Sequence, residues 1–358
     1  MESDLINIEE ACELLGVSRP TFHQMRETLN LREYPFGKRT RFSQSEILEK
    51  VSKRKESITR KDAVSVVELN IDECAWESYR LNLDKLANLD AFYSSVLLCS
   101  ALYKARSGIP VEIHSHLLLN AKYLTNQNLF VYLTKLGSDK ISIDPRLHQA
   151  SQNLFPEIIL PITQIGFKSA EEKITKGLSP ILKTHGFSED IGGYISWALG
   201  ELADNSHTHA DTKGLCFISV ERLVGEHKFL QINILDLGIG IQTTLKKKSA
   251  YSSLPDDIAL LTAFKPNVSS WPDEAKRGKG LTDIFIIAMS CKAILRVESN
   301  DQAFIFNFQN LEKPMSKVKP SAYLPGTRFS ITLVDDAFED NIKRSDVSTF
   351  IDKCLEEL

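Results

Sequence analysis

The chain has 358 residues, a formal net charge of −4 at pH 7, 42% hydrophobic and 25% charged residues. These are the values of ordinary globular domains, and at roughly 150 residues per domain they predict two or three of them. Internal repeats and low-complexity tracts are absent, and the six scattered cysteines form no C-x-x-C pair, so neither zinc nor a disulfide framework is indicated; with no apolar span of about 20 residues and no secretory leader, the expectation is a cytoplasmic chain without membrane contact.

In chain order, Ile8, Ala11, Cys12, Leu14 and Leu15 predict a short helix over Ile6–Leu15, broken at Gly16-Val17-Ser18. Ser18 caps a second helix that tolerates Pro20 in its first turn, with Phe22, Met25 and Leu29 facing inward. Two short strands across Phe36–Phe42 turn near Gly37-Lys38, and Ser43 caps a further helix from Gln44 to near Ser52. From Arg19 to Lys61 stand twelve Lys/Arg against five Asp/Glu, a local +7 on an acidic chain, as expected of a surface for a phosphate backbone. This segment resembles the helix-turn-helix of the excisionase and MerR-like DNA-binding families. The resemblance implies a winged helix-turn-helix over residues 1–61 that binds double-stranded DNA. Arg19, Thr21, His23 and Gln24 would face the major groove, and Lys38, Arg39 and Arg41 would track the backbone or minor groove. Docking to a protein, with Lys53–Lys61 as a solvated linker, is the alternative.

Residues 62–150 read as a small α/β unit with a partly parallel sheet. Val64–Ile71 is a strand, Leu89–Tyr103 a helix with Val96, Leu97 and Ala101 among its apolar positions, and Val111–His114 the next strand after the break at Gly108-Ile109-Pro110. Asn128–Leu136 is a helix closed by Gly137. The outline resembles STAS domains, the fold of anti-sigma-factor antagonists. It departs from them at Asp90, where Ala91 and Phe92 follow in place of a phosphoacceptor Ser or Thr; Ser94 and Ser95 are displaced onto the helix. A phosphate-free module for a protein partner or for dimerisation is the reading.

From Ser151 to Phe187 the chain is punctuated by Pro156 and Pro161, with a helix over Ala170–Leu182. Ile191, Ile195, Ala198 and Leu202 form an apolar helical stripe, beside which Glu201 and Asn205 share one face at i,i+4 spacing. A carboxylate there suits a general base, and a carboxamide oxygen suits Mg²⁺; an ordinary capped helix end explains them equally well. Leu215–Val220 and Phe229–Leu235 read as strands joined at Val224–His227, and Asp236, Gly238 and Gly240 follow the second. Arg277-Gly278-Lys279-Gly280-Leu281 opens a helix carrying Ile284, Phe285 and Ala288, where glycine amides suit an anion. A hairpin of Ala293–Val297 with Ala303–Phe308 turns at Asn300-Asp301, and Pro325-Gly326-Thr327 precedes a strand over Arg328–Val334. The tail over residues 337–358 is helical and acidic, able to pack on the core or on a partner.

These motifs, in this order, resemble the GHKL ATPase superfamily of gyrase B, heat-shock chaperones, MutL and the histidine kinases, over roughly residues 165–336. Glu201–Asn205 resembles its N box, Asp236–Gly240 its G1 box, Arg277–Leu281 its G2 box and Gly326-Thr327 its last box. The resemblance implies an α/β sandwich over residues 151–336, a helical layer on an antiparallel-rich mixed sheet, binding ATP with Mg²⁺. Asn205 would hold the metal, with Asp204 beside it; Asp236 would read adenine with Thr327 in support, and Gly238 and Gly240 would give close backbone approach. Gly278, Lys279, Gly280 and Leu281 would line the phosphates, Glu201 would be the catalytic base, and Ile241–Lys276 a mobile lid. By analogy with dimeric members, a homodimer is expected. The whole is then an ATP-dependent DNA-binding regulator, in transcription control or a mobile-element or phage-defence setting. The alternatives are a serine/threonine protein kinase of the anti-sigma type, whose N box the segment with His207 and His209 resembles, and a scaffold that binds nucleotide without turnover.

Overall fold

The computed structural model describes residues 4–15, 22, 26, 31–36, 39–47, 79–83, 89–114, 118–149, 155, 157–165, 176–180, 182–184, 188–189, 192–193, 195–197, 199–200, 202–203, 215–223, 229–269, 280–310, 312–334 and 342–358. Where the sequence predicts three domains and a tail, the fold divides into two compact units, residues 1–89 with 104–155 and residues 90–103 with 156–358.

In the first unit, α1 (Ile8–Leu15) starts at a capping box: the Glu10 amide donates to Asn7 Oδ1 at 2.9 Å and the Asn7 amide to the Glu10 carboxylate at 2.8 Å. Strand β1 (Leu5–Ile6) and strand β2 (Tyr34–Phe36) both pair antiparallel with β3 (Arg39–Ser43), so the expected hairpin is present with a third, unexpected strand beside it. Ala11, Phe22, Leu31, Phe42 and Ile47 close the core, with Phe22 meeting Phe42 edge to face at 5.0 Å. Ser43 accepts the Glu46 amide at 3.0 Å, as expected of a cap, and donates to Asp4 at 2.6 Å, tying the corner to β1. Val64–Ile71 lies outside the described residues. A separate sheet of β4 (Tyr79–Asn82), β5 (Val111–His114) and β6 (Ile141–Ile143) is parallel throughout. Parallel strands need crossovers, and α3 (Leu118–Asn126) with α4 (Leu129–Leu136) lies between β5 and β6. Gly137 ends α4 with an ordinary φ of −87°; what demands glycine there is crowding, since a Cβ would stand 2.4 Å from the Leu133 carbonyl oxygen.

The second unit is built on a seven-stranded sheet in the order β12-β11-β10-β13-β9-β8-β7. Its strands are β7 (Ile158–Ile165), β8 (Cys216–Leu223), β9 (Phe229–Asp236), β10 (Ile294–Ser299), β11 (Gln302–Asn307), β12 (Met315–Val318) and β13 (Thr327–Val334). Every pairing is antiparallel, so the expected mixed sheet is corrected to an antiparallel one. Neither β7 nor β12 is anticipated by the sequence. On one face, Ile218, Ile232, Val297, Phe304 and Ile331 bury against α6 (Asp256–Thr262), α7 (Gly280–Ser290), α8 (Arg344–Glu356) and the helical residues 195–203 that are described. The tail therefore packs on the core: Val347, Ile351 and Cys354 are buried, and Arg344 grips Asp283 with two bonds from Nη2 at 2.8 and 2.9 Å.

The opposite face of the sheet is polar and buried. Ser219, Asn233, Ser330 and Arg296 follow one another across four strands in register, and Arg328 pairs with Glu298 beside them. Against this face lies α2 (Ala91–Arg106), whose residues 91–102 are all buried. A helix without a polar side cannot stay at a surface, which is why residues 90–103 join the second unit and not the small α/β unit the sequence assigns them to. The start of α2 is fastened by carboxylates: Asp90 accepts the Tyr93 amide at 2.8 Å, and Glu221 of β8 accepts the Ala91 amide at 2.7 Å. Burial raises the Asp90 carboxyl above its ordinary range, against the pull of the Tyr93 amide and Gln231. Ser94 and Ser95 are fully buried, and their hydroxyls donate to the Asp90 and Ala91 carbonyls at 2.7 and 2.8 Å. Arg296 lies over the Phe92 ring at 5.6 Å.

Glu298, fully buried, accepts Arg296 Nε at 2.6 Å, Arg328 Nε at 2.8 Å and the Ser321 amide at 3.0 Å. Burial alone raises its carboxyl, but the two guanidinium groups and the Ser321 hydroxyl outweigh it and hold it below its ordinary value. Of the cysteines, Cys99, Cys216, Cys291 and Cys354 are buried, Cys12 is half-buried, and Cys74 lies outside the described residues. Burial pushes the Cys99 thiol up to about 12. No helix among the described residues is long and apolar enough to cross a membrane.

Glu298→Ala leaves two buried guanidinium groups uncompensated, an expected loss of about 3–5 kcal/mol of unfolding free energy at pH 7. A depressed carboxyl stabilises the fold above its unfolded value of 4.5 and stops doing so as pH falls through the folded value. Urea denaturation of wild type and variant should therefore show a gap that narrows in acid; a gap that does not narrow rules out the ion pairs as its origin.

Candidate functional site

Asp236 is the last residue of β9 and lies on the same face as Leu230, Ile232 and Ile234, the side covered by helices. It is 4% exposed. Its Oδ1 accepts the Gly238 amide at 2.8 Å, a local turn, and the Thr327 amide at 3.3 Å from 91 residues away. Two motifs that the sequence presents separately thus meet at one carboxylate. Thr327 opens β13, next to β9 in the sheet, and is 8% exposed.

Glycine is required at two positions here. Gly326 has φ +99° and so little room that a Cβ would stand 2.1 Å from the Asp236 carbonyl oxygen. Gly240 has φ +84°, and a Cβ there would stand 2.5 Å from Asn300 Nδ2. Gly238, between Asp236 and Gly240 in sequence, is buried, its amide used by Asp236.

The stretch expected to form a mobile lid is, through residue 269, a seated set of short helices. Helix α5 (Ile241–Leu245), a 3-10 turn over Ser249–Tyr251 and α6 pack around Leu245, Ala259 and Ala263, while Leu260, Leu261 and Phe264 enter the main core. Apolar side chains at helical spacing within Ile258–Phe264 are the sequence signal for this seating. Within this stretch Lys246 pairs with Asp256 at 2.7 Å. Residues 270–279 are outside those described, so Gly278 and Lys279 are too. Gly280 and Leu281 open α7, whose Thr282 hydroxyl donates to the Phe264 carbonyl at 3.0 Å. Leu281 and Ile241 border the same small core, which brings the start of α7 near the end of the Asp236–Gly240 segment.

Leu202 and Ala203 are buried in the main core with Ile195 and Leu199. Glu201, Asp204, Asn205, His207 and His209 lie outside the described residues, as do Ile191 and Ala198. In the first unit Arg39 and Arg41 stand on β3, and Arg19, Thr21, His23, Gln24 and Lys38 lie outside the described residues. The residue that sequence reasoning missed is Asn300. It reads as a turn residue, and its left-handed φ of +51° is the one local trait consistent with asparagine.

Gly326→Ala is expected to destabilise the protein by at least about 1–3 kcal/mol, because it combines a strained backbone with overlap on Asp236. Chemical denaturation reads it; a variant as stable as wild type would contradict the close approach described.

Among solved structures, the chain is similar to the mycobacterial sensor histidine kinase MprB, at 17% identity over 41% of this chain and 76% of that chain with a TM-score of 0.25. It is also similar to the histidine kinase domain of the blue-light activated histidine kinase from Erythrobacter litoralis EL346, at 13% identity over 72% and 97% of the two chains with a TM-score of 0.23. No curated protein matches the chain. A family model described as a helix-turn-helix domain matches residues 5–55, the span that holds α1, Phe22 and the β2–β3 hairpin; the chain carries an N-terminal helix-turn-helix domain.

Proposed function

We propose that this chain is an ATP-dependent DNA-binding regulator: a GHKL-type site in the second unit takes Mg-ATP, and the helix-turn-helix engages double-stranded DNA. The observation that carries the nucleotide reading is the meeting of Asp236, Gly238 and Thr327 at one buried carboxylate. An ionised carboxylate only accepts hydrogen bonds, so it suits an exocyclic amino group and disfavours a carbonyl, which is the chemistry of adenine. Thr327 beside it offers a hydroxyl that can both donate and accept. These groups support the reading of this end as the one that takes the base. For the phosphate end, the resemblance supplies Asn205 as metal ligand, Asp204, Gly278, Lys279, Gly280 and Leu281 around the phosphates, and Glu201 as base. Bound Mg²⁺ would neutralise phosphate charge through oxygen ligands.

The DNA reading is supported by the helix-turn-helix match and by the local charge of +7 over residues 19–61. A protein of net charge −4 with a basic head meets a polyanion by that head. Coupling between the two sites requires that nucleotide bind one DNA-binding state better than another.

DNA affinity, measured by anisotropy at fixed salt without nucleotide, with ADP and with a non-hydrolysable ATP analogue, is expected to differ by about 5–150-fold between states. Asp236→Asn should abolish that difference and leave nucleotide-free DNA affinity intact. Identical affinity in all three states sinks the coupling, and calorimetry without magnesium-dependent nucleotide binding sinks the site.

A further inference from the structure

We infer that Asn300 is the positioning residue of this site, a strap that joins the Asp236–Gly240 loop to the Gly326 loop and sets the gap between them. The inference rests on the nucleotide reading above and adds a residue that neither the motifs nor the resemblance assigns.

Asn300 sits at the tip of the β10–β11 hairpin. Its side chain touches both loops. Oδ1 accepts the Gly326 amide at 3.0 Å, while Nδ2 donates to the Ile239 carbonyl at 3.1 Å and to Thr243 Oγ1 at 3.1 Å. Its backbone repeats the pattern: the amide donates to the Gly326 carbonyl at 3.0 Å, and its carbonyl accepts Arg328 Nη2 at 2.9 Å. Ser299 adds a second line, accepting the Ile241 amide on its hydroxyl at 2.8 Å and Gln242 Nε2 on its carbonyl at 2.8 Å. One planar group must here accept from one loop and donate to the other. A carboxamide does both; a carboxylate cannot donate and a hydroxyl is too short. The left-handed backbone, φ +51°, is a second demand that asparagine meets and most residues do not.

A hairpin turn by itself needs only that φ. Three side-chain bonds to segments 26, 57 and 61 residues away go beyond a turn's requirements. What they fix is the approach of Gly326 to Asp236, and with it the Thr327 amide on the carboxylate.

The test uses the full chain with Asn300→Gly, which keeps the backbone conformation and removes the side chain, and Asn300→Asp, which keeps the acceptor and removes the donors. Calorimetry reads affinity for ADP and for Mg-ATP, and thermal melting reads folding. Asn300→Gly should weaken both nucleotides by roughly tenfold to a hundredfold, equally, because the phosphate end is untouched. Asn300→Asp should fall between it and wild type. If Asn300→Gly does not fold, Asn300→Asp decides on the same measurement. A lower melting temperature with wild-type affinity in the folded variants overturns the inference alone. A wild type that binds neither nucleotide overturns the site reading and this inference with it.

Discussion

A buried carboxylate between two buried guanidinium groups is the constraint on which the second unit depends. Glu298 has no access to water, and neither charge beside it can be left unpaired without a large desolvation cost. Satisfying it fixes two things at once. Arg296 is held where its guanidinium covers Phe92 of α2. Arg328 is held where its remaining donors reach the Leu324 and Asn300 carbonyls, at 3.0 and 2.9 Å. The helix on one face and the loop leading to Thr327 are therefore set by the same ion-pair group.

The sheet divides its labour by the parity of its strands. Even-numbered positions of β9 run apolar until Asp236, so the candidate site is the point where a hydrophobic face ends in a carboxylate. Odd-numbered positions carry Gln231 and Asn233 toward the polar face, where Asn233 donates to Ser219 at 3.3 Å and Gln231 to Asp90 at 3.1 Å. Polar groups buried without water must find partners. Such pairing admits one seating of α2, where an apolar face would admit several. Specificity of docking is bought here with hydrogen bonds instead of area.

Most strands of the second unit were legible in the sequence because alternation and turn residues are local signals. β9, β11, β13 and the turn at Asn300 fall where those signals put them, within a residue or two. β7 was hidden by Pro161, which breaks the pattern without breaking the strand because β7 lies at the sheet edge. α2 reads as a helix, but its residues 91–102, all buried, carry no polar stripe to say what they face, so their neighbours are not legible. At the site, Asp236 and the glycines were readable as motifs. Their meeting was not: it requires closing a chain of 91 residues, and only the antiparallel register of β9 with β13 accomplishes that. Asn300 was readable as a turn and silent about its partners, which are all distant in sequence.

The two rims of the sheet bear on edge-to-edge pairing between copies. An open antiparallel sheet offers unpaired amides and carbonyls along each outer strand, a template for accretion. One rim, β7, lacks a donor at Pro161 and departs from regular register twice along its pairing with β8. The other, β12, is four residues long, and its Lys317 is committed to Asp257 at 2.7 Å. Among the described residues neither rim presents a long regular ladder to a newcomer, so growth of fibrils from these edges is disfavoured by the same irregularities that make the strands hard to read.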